Sequence, residues 1–302
     1  MPNTETVHVD HLGGIDAAYQ MPKPYDEKKP TLVLVNSFTT SSELYQSQYA
    51  NKDLTDAMNL ISIELLGHGQ TRTQSENFTY WDTAIMNLQV LAALHITGGP
   101  GKKTFVLGTS QGGWITTRMA LLAPDKISGI IPLGTSMDYE SERTRSLGCW
   151  NGPADLTPNI RAWTTEEKTE EFEPSEEYAN FLIDIGFGKE CPRETREFWV
   201  KEIKKNYRGD EGRRRIRMAA INLSERDGLH SRLSDVRCPV LWLHGTADAV
   251  YSVKNAEEEI KMFVNSPDAQ LKTVEGGQHF LSFSHPKEVD GALIQFVGKY
   301  GK

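Results

Sequence analysis

Short apolar runs separated by longer amphipathic stretches lay out this chain. Residues 31–36 (TLVLVN) form an aliphatic, β-branched run too short for a helix and of the kind found in strands covered on both faces. Similar runs at 60–65, 104–107, within 126–133, at 240–243 (VLWL) and at 271–274 read as further strands. Near the start, 6–10 alternates as an edge strand does, and 15–21 is expected to pair with it around Gly13-Gly14. Between these runs apolar residues recur at helical spacing. Residues 80–94 place Trp81, Ile85, Leu88, Leu91 and Ala92 on one face behind Thr79 as cap, and GGPGKK (98–103) is expected to break that helix. Further helices are expected from Gly112, over about 253–263 and over 286–297, and a short one capped by Ser41 or Ser42; PKPYDEKKP (22–30) reads as a surface loop.

Strand and helix in alternation argue a mostly parallel sheet with right-handed crossovers and helices on both faces, an α/β fold. From 136 to 227 the rhythm stops. Strand signals vanish and charged runs appear (TTEEKTEEFEPSEEY, KEIKKNYRGDEGRRRIR), while aromatic residues persist at intervals. This stretch reads as a helical insertion with a solvated outer face and an apolar inner one, dividing the chain into a core (1–135 and 228–302) and a lid (136–227).

Composition narrows the partners. The 302 residues carry a formal charge of -8, which opposes binding to nucleic acid or an anionic membrane, and no run approaches the ~18 apolar residues of a membrane span. The opening MPNTETVHVDH has neither a basic nor an apolar signal region, so a cytoplasmic protein is expected. Cys149, Cys191 and Cys238 are odd in number and far apart and read as free thiols. With no Cys/His cluster at zinc spacing, neither metal nor cofactor is expected.

Chemistry enters at TFVLGTSQGG. Gly108-Thr109-Ser110-Gln111-Gly112 sets small residues two places either side of a serine where a strand passes sharply into a helix, a turn that presents the hydroxyl at the sheet's carboxyl edge. Serine nucleophiles need an imidazole to take the proton and a carboxylate to orient that imidazole. Asp248 follows the VLWL strand by five residues and His279 follows LKTV by five, so both fall in loops at the same edge, in the chain order Ser, Asp, His. Read singly, Asp248 caps a turn and His279 is a loop histidine; His68, His244 and His285 compete for the base.

These segments resemble the α/β-hydrolase superfamily, in the branch with a helical cap inserted after the sixth strand. The resemblance spans the chain and rests on ELLGHGQT (64–71), GTSQGG (108–113), HGTAD (244–248) and GGQHFLSFSHPKEV (276–289). It implies Ser110 as nucleophile, His279 as base, Asp248 as its orienting acid, and the backbone N–H groups of Phe38 and Gln111 as oxyanion donors. Asn36-Ser37 with Leu44-Tyr45-Gln46 is similar to enol-lactone hydrolases and related ester and lactone hydrolases. Two positions depart from the pattern: Glu64 stands where aspartate is usual, and Gln278 where glycine is usual. A serine at 110 speaks against the epoxide hydrolases and haloalkane dehalogenases of the superfamily, which use aspartate there. Peptide cleavage is disfavoured because the acidic residues of the lid come in solvent-facing runs.

Trp150, Phe181 and Trp199 of the lid are the candidate pocket wall, with Gln278 beside the base; Trp114, behind the serine, either lines the pocket or packs beneath it. The expected activity is hydrolysis of a carboxylic ester or lactone of a small, largely apolar molecule, polyketide-like or phenolic. Carbon–carbon bond hydrolysis of a β-diketone or vinylogous keto acid uses the same three residues, and hydrolase-like receptors keep the pocket without turnover; both stand as alternatives. The expected partner is the small-molecule substrate, and a homodimer is compatible with the sequence.

Overall fold

The computed structural model describes residues 2–96 and 102–302, so the glycines and proline of the helix break expected at 98–103 lie outside the described residues. Among the described residues nine strands form one sheet: β1 (Glu5–Val9), β2 (Ile15–Gln20), β3 (Thr31–Val35), β4 (Asn59–Ile63), β5 (Arg72–Thr73), β6 (Thr104–Thr109), β7 (Gly129–Leu133), β8 (Val240–Gly245) and β9 (Ala269–Val274). Their order is β1-β2-β4-β3-β6-β7-β8-β9, with the two-residue β5 paired to β2. β1 and β2 make the antiparallel hairpin expected at the start, β2 meets β4 antiparallel, and every pairing from β4 to β9 is parallel.

Side chains alternate across a strand, and that alternation builds two apolar layers. Val33, Val35, Val106, Ile130 and Trp242 face one layer. Their neighbours Leu32, Leu34, Phe105, Leu107, Ile131 and Leu243 face the other. Against the first pack the helix Tyr80–Ala93, through Ala84, Val90 and Leu91, and the helix Gln111–Leu122, through Trp114, Ile115 and Met119. The closing helix Pro286–Tyr300 covers the second with Val289, Leu293, Phe296 and Val297. Covered on both faces, all five residues of β3 are buried, which is why its sequence is a continuous apolar run rather than an alternating one. Thr79 caps Tyr80–Ala93 in a reciprocal capping box with Asp82, and Ser41 caps a short 3-10 turn at Ser42–Tyr45.

Between β7 and β8 no strand occurs, and five α-helices, Glu142–Ser146, Gly152–Ala162, Glu176–Phe187, Arg193–Asn206 and Gly209–Ser224, fill the interval ahead of a 3-10 turn at His230–Asp235. Glu176–Phe187 buries Tyr178, Ala179, Leu182, Ile183, Gly186 and Phe187, a stripe at helical period that turns inward. The outgoing and returning segments run side by side, with the Leu229 N–H bonded to the Met137 carbonyl at 2.7 Å. The inserted helices thereby come down over the carboxyl edge of the sheet, the edge at which β6, β8 and β9 end.

Candidate active site

At the end of β6 the chain makes a turn that only small residues permit. Ser110 has φ 54 and ψ -120, a region that costs a non-glycine residue roughly 1–3 kcal/mol and persists only where the surroundings hold it. Here its N–H donates to the Leu133 carbonyl at 2.8 Å, and its own carbonyl accepts from the Thr135 hydroxyl at 2.7 Å and the Gly113 N–H at 2.8 Å. A Cβ at Gly108 would lie 2.0 Å from the Gly112 carbonyl oxygen, and one at Gly112 would lie 2.5 Å from that of Val35. The two glycines thus allow helix and strands to approach closely enough for the turn to form.

His279, 4 % exposed, aims Nδ1 at Asp248, 3.0 Å from Oδ1 and 2.9 Å from Oδ2. The carboxylate also accepts the backbone N–H groups of Val250 (2.7 Å) and Tyr251 (3.0 Å). Burial by itself would raise the Asp248 carboxyl, but the His279 imidazole and these N–H donors together hold it below the ordinary carboxylate range. With Nδ1–H donated to Asp248, Nε2 of His279 keeps a free lone pair that can accept a proton. Ser110 and His279 line one cavity; the Ser110 hydroxyl takes no hydrogen-bond partner among the described residues. Gly134, at φ 53, lies beneath both loops, where a Cβ would sit 2.6 Å from the His279 carbonyl oxygen and 3.2 Å from Asp248 Oδ2. Sequence reasoning missed this residue, although a glycine just past a strand end invites the question.

The competing histidines have other work. His244 is fully buried and donates from Nε2 to the Tyr251 carbonyl at 2.8 Å, bracing the Asp248 loop. His68 donates from Nδ1 to the Leu66 carbonyl at 2.8 Å and accepts from the Gln111 amide at 3.1 Å. Burial pushes the His68 imidazole down to about 4, so it is neutral near pH 7. His285 precedes the closing helix. Tyr80 donates to the Gln111 side-chain oxygen at 3.0 Å, so that side chain is held at both ends. Gln111 opens its helix, where the backbone N–H has no intrahelical acceptor. Opposite, Asn36 ties the turn that carries Phe38, donating to the Thr40 carbonyl at 2.8 Å and accepting the Leu65 N–H at 3.1 Å. Thr39 there has φ 57, and Phe38 lines the cavity. Glu64 binds the Ser42 N–H (3.0 Å) and the Gln70 N–H (2.6 Å), an outer clasp on the same turns.

The cavity is tight, with a volume of about 40 Å³. Ser37, Thr39, Thr40, Ser110 and His279 make its polar end, and Trp150, Leu182, Ile183, Trp199, Ile203 and Leu223 are among its apolar walls. Trp150 and Trp199 line this cavity, Phe181 and Gln278 do not, and of the two placements open to Trp114 the structure has the one beneath. Trp114 is fully buried beneath the cavity, its indole N–H on the Asp138 carbonyl (3.2 Å), its ring against Tyr251 and under the Arg226 guanidinium. Tyr251 takes the wall position in its place. Phe181 faces an outer groove beside Asp155 and Ser175, because the inward stripe of its helix runs through Leu182 and Ile183 one and two residues on. Gln278 packs against Gly188 at the end of that helix and is absent from the cavity wall. The stripe itself was the usable signal: spacing from Tyr178 and Ala179 picks out Leu182, Ile183, Gly186 and Phe187. Among the described residues no group of three or more His, Cys, Asp or Glu is placed to hold a metal ion, and the three cysteines are unpaired.

Comparison with known proteins places this geometry in a family. The pimeloyl-[acyl-carrier protein] methyl ester esterase of Vibrio vulnificus is 21% identical over 271 residues, covering 89% of this chain and 95% of the relative. Among solved structures, a thermophilic esterase from Thermogutta terrifontis matches with a TM-score of 0.75 at 19% identity, over 99% of this chain and 100% of that one. The enol-lactonase of Burkholderia xenovorans matches at 0.74 and 16% identity, over 97% and 100%. The pattern of the Hydrolase_4 family, described as serine aminopeptidase, S33, matches residues 26–284. The chain belongs to that family, and is a serine hydrolase of the α/β-hydrolase fold.

Proposed function

We propose that the chain hydrolyses a carboxylic ester or lactone of a neutral, largely apolar small molecule, with Ser110 as nucleophile, His279 as general base and acid, and Asp248 holding the imidazole. The observation that carries this reading is the cavity itself: Ser110 and the Asp248-held His279 open onto a wall that, among the described residues, has no Asp, Glu, Lys or Arg. An unpaired charge brought against such a wall is desolvated without compensation, at a cost of several kcal/mol. Substrates bearing a carboxylate are therefore poor candidates. So are peptides with a free amino terminus, despite the family's description, because an ammonium needs a carboxylate partner; Glu140, buried behind Tyr251, is already paired with Arg226. Carbon–carbon cleavage needs polar help from the inserted helices, and the residues they bring to the cavity, from Leu182 to Leu223, are apolar. Aromatic walls at Trp150, Phe187 and Trp199 suit a phenolic or polyketide-like ester. The esterase activity of the Vibrio relative supports the same bond class.

The steps follow from the placement. Ser110 Oγ attacks the carbonyl carbon as its proton passes to His279 Nε2; the tetrahedral oxyanion is received by the N–H groups of Phe38 and Gln111. Collapse expels the alkoxide, which takes the proton from His279, and leaves an acyl ester on Ser110. Water, deprotonated by His279, then attacks that ester, and the acid departs as Ser110 regains its proton. Hydrolysis of p-nitrophenyl butyrate tests the scheme: Ser110→Ala should lose at least about 10³-fold in kcat with an unchanged unfolding midpoint. Full activity in that variant, or cleavage of an aminoacyl p-nitroanilide without cleavage of the ester, would overturn it.

A further inference from the structure

Phe187 and Trp199 line the cavity holding Ser110, and the same two residues line a second groove of about 230 Å³ that opens to solvent. Among the described residues they alone border both spaces. Phe187 lies 5.5 Å from Trp199 between ring centroids, 4.8 Å from Phe280 and 4.9 Å from Phe283, so a cluster of aromatic rings stands at the boundary of the two spaces. Phe187 is the last residue of its helix and is followed by Gly188 at φ 89, so a rotation of its ring meets no further helical turn on that side.

The groove's chemistry indicates what would occupy it. Leu44, Phe198 and Phe283 supply apolar surface, Ser47 and Thr195 neutral polar groups, and Glu43 and Glu194 the only charges. Glu43 is already engaged by Gln20 at 3.0 Å and Gln46 at 2.8 Å. An anionic tail would find two carboxylates and no cation there.

We infer that Phe187 and Trp199 form a gate, and that the groove beyond them is a second subsite for the distal part of a substrate too long for the Ser110 cavity: an extended aliphatic chain with an uncharged end. This rests on ester hydrolysis at Ser110 as proposed above. Apolar length is read in such a site one methylene at a time, each worth a severalfold change in specificity. Opening the gate therefore shifts the chain-length preference, whereas a wall that merely packs would change stability without favouring long chains.

The test compares kcat/KM for p-nitrophenyl acetate and p-nitrophenyl decanoate. Phe187→Leu is expected to raise the decanoate-to-acetate ratio about tenfold, and Thr195→Trp, which plugs the groove from its outer side, to lower it by a similar factor with acetate within about twofold of the parent. A ratio unmoved in both variants overturns the gate while leaving hydrolysis intact. Should Phe187→Leu fail to fold, Thr195→Trp decides alone. Calorimetric binding of 1-decanol and 1-butanol gives a readout independent of turnover: Thr195→Trp should weaken decanol about tenfold and spare butanol. If no ester is turned over, the assignment of Ser110 fails, and the subsite is retained or rejected on decanol alone.

Discussion

The two ends of the Ser110 cavity are built in opposite ways. Its polar end is made of strand termini and tight turns, where Gly108, Gly112 and Gly134 admit backbone approaches no other residue would allow and hydrogen bonds pin the Ser110 carbonyl and the Asp248 carboxylate. Its apolar end is made largely of side chains from the inserted helices, completed by Val250, Tyr251 and Phe280 of the core, and few backbone bonds cross it, such as that from the Phe280 N–H to the Gly186 carbonyl at 2.8 Å. The first end is over-determined and suits chemistry that tolerates little displacement. The second admits repacking, since hydrophobic surfaces of similar volume substitute for one another at modest cost. On the proposed reading, bond breaking and substrate choice are separated in space.

Substitutions at each end should break in correspondingly different ways. The largest effect is expected at Asp248→Asn, which removes the acceptor that fixes the His279 tautomer: kcat should fall about 10³–10⁴-fold with KM nearly unchanged, measured on the butyrate ester. A loss confined to KM would place Asp248 outside the proton path.

Next comes a stability effect beside the polar end, at His68, which bonds Gln111 and packs against Phe38. His68 is held down to about 4 by burial, so the unfolded chain takes up a proton near 6.5 that the folded chain refuses. Its contribution to stability is complete above pH 6.5 and is lost as the pH falls toward 4, on the order of 3 kcal/mol over that window. Urea unfolding of His68→Asn across the same range should show a distinctly shallower dependence. An equally steep slope would mean that another group carries it.

The smallest effect is expected at the apolar end. Leu182→Ala removes wall surface without touching the polar end, so kcat on the acetate should stay within about twofold, while kcat/KM for a bulky aryl ester falls about tenfold. Equal losses on both esters would show that the inserted helices act on the chemistry itself, and the contrast between the two ends would dissolve.

Most of the sheet was readable because strands and their termini are local properties. β3, β6, β7, β8 and β9 each appear as an apolar run stopped by glycine or a polar turn, and knowing where a strand stops is enough to place Ser110, Asp248 and His279 at one edge. The inserted helices were readable only as helices. Phe181 and Leu182 are adjacent, equally apolar and in the same turn, yet one faces an outer groove and the other the cavity. Trp114 shows the same limit within the core: it stands four residues from Ser110 but lies under Tyr251, a residue 137 positions further along whose ring took the wall.

What the chain determined by itself was the alternation that makes a doubly covered sheet, the glycine spacing that lets a serine sit at a strained turn, and the length of each loop past its strand. All of these act over a few residues. What only the tertiary structure decided was the rotation of each inserted helix about its own axis, and with it which aromatic rings wall the cavity. A stripe at helical spacing narrows the choice of face, but the rotation is set by the summed packing of surfaces far apart in sequence.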